Sequence, residues 1–180
     1  MYLKPQDVLV LLKLSVWGDR LWRQEDLAGE LGMVQSQVYS SLKRADECGL
    51  YKYEDKHVNK AALVEIVVHA VRFLVPGSLG PRTRGMPTAW GHRGAFACLA
   101  SGVFEPPVWP IRPRSNHPFG LDSAVDGVAV EPLHEKAPGA AMRDPKLYEL
   151  LAAIDAMRIG RARDLAVARD LIRHRLLSAV

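Results

Sequence analysis

Residues 24–50 read QEDLAGELGMVQSQVYSSLKRADECGL, and this stretch decides how the first part of the chain folds. Its apolar residues form two pairs, each spaced by four positions and so on one helix face: Leu27 with Leu31, and Val38 with Leu42. Between the pairs, residues 32–34 (GMV) predict a short turn that begins with glycine. Two short helices joined by such a turn form a helix-turn-helix.

The second of these helices carries polar side chains that its packing does not need: Gln35, Ser36, Gln37, Tyr39, Ser40, Lys43 and Arg44. Short amides and hydroxyls near the start of a helix can reach base edges in DNA, and cations further along suit phosphates. Residues 50–59 (LYKYEDKHVN) then predict a strand, a turn and a strand. This small hairpin carries Lys52, Lys56 and His57, as the wing of a DNA-binding domain would.

The run from Glu25 to Tyr51 resembles the winged helix-turn-helix transcriptional regulators, most closely the MarR type and related bacterial groups. The shared features are Leu-Ala, Leu-Gly, a Ser-rich second helix, a basic pair and Gly-Leu before the wing. The resemblance covers roughly residues 6–74. It implies that Gln35–Ala45 is a recognition helix and that Lys52–His57 is the wing.

Two further helices are predicted around this motif. Residues 8–17 are apolar almost all round, which predicts a helix buried either in its own domain or in a subunit interface. A second stripe predicts a helix that packs on the first one, with its apolar face formed by Leu63, Ile66, Val67, Ala70, Val71 and Leu74.

Residues 76–140 differ in composition, because eleven of the twelve prolines lie at Pro76 or beyond. This stretch predicts either a lobe with a few short strands or an arm that wraps a partner. Its strand candidates are residues 107–109 and 127–133, and its aromatics Trp90, Phe96, Phe104 and Trp109 suit either a small core or a partner surface. Arg82 and Arg84 suit one of two roles. They could contact DNA, along phosphates or in a minor groove, or they could pair with carboxylates of the first domain and so hold the lobe against it.

Helical character returns after Asp144-Pro145, a good cap and first-turn pair. Two apolar stripes follow on either side of Gly160: Leu147, Leu150, Leu151 and Ile154, then Leu165, Ala168, Ile172 and Leu176. A packing face of this kind can dimerise the protein. The interface candidates are Leu9, Leu12, Leu165, Ile172 and Leu176.

The fold class predicted is mainly α with a small β-hairpin wing, followed by a Pro/Gly-rich lobe with a few short strands and by C-terminal helices. Three segments are expected: a winged helix-turn-helix domain at 1–75, a basic arm or lobe at 76–140 and a helical segment at 141–180, for packing or dimerisation. Residues 1–75 carry ten Lys/Arg and ten Asp/Glu, so the net charge of +4 arises in the other two segments. DNA binding would therefore draw on a second subunit or on the later arginines.

Several classes are excluded by the absence of their sequence patterns. Cys48 and Cys98 make no C-x-x-C unit, and no histidine lies at a metal-ligand spacing, so neither a metal nor another cofactor is expected. No nucleophile or phosphate-loop motif is present, which argues against an enzyme. No apolar run is long enough for a membrane span or a signal core, so a cytoplasmic protein is expected.

These observations predict a sequence-specific DNA-binding transcriptional regulator, a homodimeric repressor that occludes its operator in double-stranded DNA. The alternative is an antitoxin-like autoregulating protein whose residues 76–180 bind and neutralise a partner protein. A DNA-binding protein of a phage or mobile element would use the same first domain.

Overall fold

The computed structural model describes residues 2–96, 105–111 and 124–178. The fold is mixed α/β, with helices around a two-stranded antiparallel sheet and a separate three-stranded sheet. The first part contains helices α1 (Pro5–Trp17), α2 (Gln24–Leu31) and α3 (Gln35–Glu47), then strands β1 (Tyr51–Lys52) and β2 (His57–Val58).

The predicted turn between the two short helices is present and depends on a glycine. Gly32 ends α2 with φ +64°, a left-handed conformation that glycine adopts without steric cost. The next amide, that of Met33, donates to the Ala28 carbonyl at 2.9 Å and closes the end of α2. The predicted hairpin is also present, because Tyr51 pairs with Val58 and Lys52 with His57.

The next helical run differs from the predicted stripe. It consists of α4 (Lys60–Glu65), a π-helical segment (Ile66–Ala70) and α5 (Val71–Leu74). A π turn takes an extra residue, which rotates the later side chains around the axis. Leu74, which follows the π-helical segment, is accordingly 66% exposed. Val64 and Val68, which lie outside the predicted stripe, are also buried, and Val64 precedes the π-helical segment, so the buried face of α4 is itself wider than predicted.

The Pro/Gly-rich segment forms a small sheet in its described part. Strand β3 (Leu79–Pro87) pairs antiparallel with both β4 (Pro107–Pro110) and β5 (Val125–Val130), and β4 and β5 also pair with each other. At Gly85 a Cβ atom would lie 2.1 Å from the Trp109 carbonyl oxygen, so only glycine allows this close crossing of β3 and β4. Short strands were predicted for this segment and are present: β4 and β5 match the candidates at 107–109 and 127–133, whereas β3 was not among them.

Three helices complete the chain: α6 (Ala137–Arg143), α7 (Pro145–Ile159) and α8 (Ala162–Leu177). Asp144 caps α7 as predicted, because its carboxylate accepts hydrogen bonds from the amides of Lys146 at 3.1 Å and Leu147 at 3.2 Å. Gly160 separates α7 from α8.

In the described part of the chain, apolar side chains from residue 8 to residue 176 form one hydrophobic core, to which all three predicted segments contribute. This corrects the predicted dimer interface. Leu9, Leu12, Ile172 and Leu176 are at most 1% exposed in the single chain, and Leu165 is half-buried. The stripes on α1 and α8 are covered by other helices of the same chain, since α8 packs on α4 and α7.

Two buried polar networks hold the segments in register. The Lys13 ammonium on α1 lies 2.9 Å from Glu30 on α2 and 2.8 Å from Asp144 at the start of α7. Burial alone would raise the pKa of Asp144, but hydrogen bonds from Lys13 and from the α7 backbone hold that pKa below its usual value.

The second network ties the sheet to α7. The fully buried Asp155 carboxylate accepts hydrogen bonds from the Thr88 hydroxyl at 2.7 Å, the Trp109 indole at 2.6 Å and the Arg158 guanidinium at 2.7 Å. Arg158 also donates to two backbone carbonyls, those of Val75 and Glu131. Because a buried charge is costly unless it is paired and hydrogen-bonded, these contacts define one position for the sheet against the helices.

Candidate nucleic-acid interface

Helix α3 has one buried face and one polar face in solvent. The buried positions recur at helical spacing: Val38, Ser41, Leu42 and Ala45. The predicted DNA-contacting residues lie on the other side and are exposed, with the exception of Arg44: Gln35, Ser36, Gln37, Tyr39, Ser40 and Lys43. An α-helix is about 10–12 Å in diameter with its side chains and so fits a major groove about 12 Å wide, and the 13 residues of α3 make it about 20 Å long.

The polar residues of this face differ in how far their side chains are already engaged. Gln37 accepts a hydrogen bond from the Val34 amide at 3.2 Å and so helps to cap α3. Tyr39 packs edge-on against Tyr53 of the hairpin loop, with ring centroids 6.2 Å apart. Within the described ranges, the side chains of Gln35, Ser36 and Ser40 make no hydrogen bond, which leaves them available to a ligand.

Arg44 does not belong to this surface, which corrects the prediction that it contacts DNA. Its guanidinium donates to the Asp7 carboxylate on α1 through Nε at 2.8 Å and Nη2 at 2.5 Å. Asp7 is fully buried and Arg44 is 8% exposed. The hydrogen bonds to Asp7 raise the pKa of Arg44, and they hold it against α1 as a structural cation.

The hairpin presents its cations to solvent beside α3. Lys52, Lys56 and His57 are exposed, as expected for a wing. The loop between the strands is anchored at Tyr53, whose amide donates to Asp46 on α3 at 3.0 Å and whose hydroxyl accepts from Gln24 on α2 at 2.9 Å. The hairpin is therefore held against both helices of the predicted motif.

Sequence reasoning missed a cluster of cations and indole rings beside the hairpin. The rings of Trp17 and Trp22 lie 6.5 Å apart, with the Arg20 guanidinium 3.8 Å from the Trp17 centroid and the Lys56 ammonium 5.2 Å from the Trp22 centroid. The two tryptophans flank the short loop Gly-Asp-Arg-Leu in the sequence, and an arginine between two closely spaced tryptophans is the signal that could have found the cluster. It fixes the loop after α1 against the hairpin and adds Arg20 to the positive charge of this side.

The predicted arm arginines pair within their own lobe. Arg82 forms an ion pair with Glu105, and Arg84 lies 3.6 Å from Asp126 and donates to the Ala124 carbonyl at 3.0 Å. In the described ranges these contacts join β3 to residues at or beside β4 and β5, and none of them reaches residues 1–75. Both side chains remain more than half exposed, so contact with phosphate would have to compete with these carboxylates.

The aromatics of the lobe are mostly covered. Phe96 and Trp109 are at most 1% exposed, Trp90 is half-buried, and Phe104 lies outside the described residues. Burial supports the interpretation that these side chains form part of the protein's own core. It removes two of the four aromatics from any surface that could wrap a partner.

A cavity of about 650 Å³ lies at the edge of the lobe, where Trp90, His92, Arg93, Asp126 and Tyr148 contribute to its lining. The His92 ring packs edge-on against Tyr148 at 4.2 Å, and the Tyr148 hydroxyl donates to the Pro87 carbonyl. Burial lowers the pKa of His92 and raises that of Tyr148, so both rings are neutral near pH 7. The two rings thus act as a packed, uncharged wall of the cavity.

Among the described residues, no cluster of three or more His, Cys, Asp or Glu side chains is arranged to hold a metal ion. None of the helices in the described ranges has the length and apolar composition that crossing a membrane requires. Comparisons of the chain with protein-family models, with curated proteins and with solved structures find no match.

Proposed function

We propose that this protein is a DNA-binding transcriptional regulator that recognises a specific duplex sequence through α3. In this proposal α2, the turn at Gly32 and α3 act as a helix-turn-helix, and the β1–β2 hairpin acts as its wing. The observation that carries the proposal is the exposed polar face of α3, with unengaged amide and hydroxyl groups near its start and Lys43 further along. This order of groups suits base edges first and phosphates second.

The protein would repress transcription by binding its operator, because a bound protein excludes RNA polymerase from the same stretch of duplex. The homodimer expected from the sequence is part of the proposal, but its interface must lie elsewhere than on the buried leucines and isoleucine of α1 and α8. The protein-partner alternative has lost Phe96 and Trp109 as exposed anchors. A stoichiometric companion that copurifies with the chain would favour that alternative.

The test is a binding titration of the purified protein with the DNA upstream of its own coding region. A scrambled duplex of equal length and composition serves as the reference, and fluorescence anisotropy is recorded at several salt concentrations. We expect a preference for the upstream duplex that persists at physiological salt. Equal affinity for both duplexes at every salt concentration would reject sequence-specific regulation of this promoter.

A pair of variants locates the contact on α3. Gln35→Ala should cost about 1–3 kcal/mol of discrimination between the two duplexes, the usual value of a good side-chain contact to a base. Ser78→Ala, which also removes an exposed polar side chain but lies outside the motif, is the control and should leave discrimination unchanged. If Gln35→Ala instead weakened the affinity for both duplexes equally, Gln35 would contact the DNA backbone and not a base.

A further inference from the structure

A small cleft on the side of the molecule beyond the hairpin gathers basic residues that are distant in sequence. It has a volume of about 190 Å³ and lies where four chain segments meet. These are the end of α1, the start of α4, the first turn of α7 and the last turn of α8. Its polar lining consists of Ser15, Lys60, Lys146, His174, Arg175 and Ser178.

The charge of the cleft is positive and little compensated. No carboxylate is among the described residues that line it. In the described ranges Lys60 and Lys146 form no ion pair, whereas Arg175 lies 2.7 Å from Glu149 on α7. The nearby carboxylate of Asp144 is already bound to Lys13. Two ammonium groups therefore face solvent with no opposite charge bound to them.

The cleft is continuous with the wing. A neighbouring depression of about 230 Å³ shares Ser15 and Lys60 with it and is also lined by Lys56 and His57 of the hairpin, with Asp19 as its one carboxylate in the described part. A basic strip therefore runs from the hairpin loop through Lys60 to Lys146. The cleft also brings part of the net positive charge of residues 141–180 next to residues 1–75, whose net charge is zero, because Lys146 and Arg175 line it together with Lys60.

We propose that this cleft binds the phosphate backbone of duplex DNA beyond the wing and so extends the interface of α3 and the hairpin. Lysine ammonium groups bind phosphate as point charges, and the Ser178 hydroxyl offers a neutral donor at the same cleft, whereas the Ser15 hydroxyl already donates to the Leu11 carbonyl at 2.8 Å. The arm arginines are less suited to this role because each is already paired with a carboxylate. The inference rests on the proposed function for the duplex as ligand, but it does not require sequence preference.

The experiment measures how duplex affinity depends on salt, since each phosphate contact contributes about 0.9 to the slope of log K against log salt. The test variant is Lys60→Gln with Lys146→Gln. The control is Arg161→Gln with Arg173→Gln, which removes the same charge from two exposed arginines that do not line the cleft. A third variant, Lys60→Arg with Lys146→Arg, keeps the charge and reports on structural damage.

We expect the slope to fall by about 2 in the Gln variant, on both the upstream and the scrambled duplex, and to stay unchanged in the control and in the Arg variant. An unchanged slope in the Gln variant would overturn the phosphate site and leave an acidic protein segment as the ligand class that fits these charges. If the wild type binds both duplexes equally and the slope still falls in the Gln variant, the proposal of sequence-specific regulation is rejected, whereas the proposal of phosphate binding at the cleft stands. A wild type that binds no duplex would overturn both proposals.

Discussion

Arg44 and its neighbour Lys43 offer a matched test of how α3 divides between core and surface. Replacing Arg44 by Gln removes its two hydrogen bonds to Asp7, its hydrogen bond to Ser41 and the charge that neutralises the buried Asp7 carboxylate. Among the described residues, the Lys4 amide then remains as the donor to Asp7, at 2.8 Å. Removing one partner of a buried ion pair typically costs about 3–5 kcal/mol. At about 2–4 °C per kcal/mol for a chain of this size, the midpoint of thermal unfolding should fall by about 6–20 °C.

Lys43→Gln makes the same change of charge on the exposed side of the helix. Surface substitutions usually change stability by no more than about 0.5 kcal/mol, so its unfolding curve should overlay that of the wild type. Its effect should appear in DNA binding, as a smaller salt slope. The two adjacent positions are therefore expected to separate stability from binding.

The assay is urea unfolding followed by tryptophan fluorescence, with the free energy of unfolding taken from the midpoint and the slope. The double variant Asp7→Asn with Arg44→Gln should be more stable than the sum of the two single losses predicts, because it leaves no unpaired charge in the interior. An Arg44→Gln protein as stable as the Lys43→Gln protein, with the same loss of DNA affinity, would refute the assignment of Arg44 to the core.

Three further predictions follow from the fold. Because the pKa of Asp144 is lowered in the folded protein, its interactions stabilise the fold above a pH of about 4, and this stabilisation is lost as the pH falls through the folded-state pKa. Lys13→Met should therefore make the free energy of unfolding depend less on pH when it is measured from pH 2 to 6. Thr88→Val should cost about 1.5–3 kcal/mol in urea unfolding, because it removes a hydrogen bond to the buried Asp155. Thr83→Val, on the neighbouring strand β3, makes the same change without that hydrogen bond and should cost less than half as much. Gly85→Ala should lower the midpoint of thermal unfolding, because its Cβ would meet the Trp109 carbonyl, and an unchanged midpoint would contradict the crossing of β3 and β4. Gly139→Ala in α6 is the control: a Cβ there would meet no atom within 4 Å, so this variant should raise stability by about 0.5–1 kcal/mol.

Local chemistry determined the first half of the fold. The spacing of Leu27 and Leu31, the glycine at position 32 and the polar loop between Tyr51 and Val58 predicted two helices, their turn and the hairpin, because these elements depend on residues close together in sequence. Two strands of the Pro/Gly-rich segment, β4 and β5, were predicted to within a few residues, but β3 was not, because its prolines and glycines indicated turns. The π-helical turn at Ile66–Ala70, which packs against α7, was not predicted, since it has no signal of its own in the periodicity.

The candidate site was predictable only in part, and Arg44 shows why. It lies three positions after Ser41 and two after Leu42, at the edge of the apolar stripe, where helical spacing leaves open whether a side chain faces core or solvent. The decision depends on Asp7, which is 37 residues earlier in the chain. A similar ambiguity affected the stripe on α8, because an apolar face needs a cover but the sequence does not say whether the cover is α7 or a second copy.

Most of the helices, the hairpin and the polar character of α3 could thus be predicted from the sequence, because they follow from short-range periodicity and turn chemistry, whereas β3 and the π-helical turn could not. Only the tertiary structure decided which charges are buried, which apolar faces are covered within the chain, and that Lys60, Lys146 and Arg175 converge on one cleft. Those features join residues up to 131 positions apart, as in the pair of Lys13 with Asp144. Contacts over such separations are set by how the helices pack around the common core, and no local pattern encodes them.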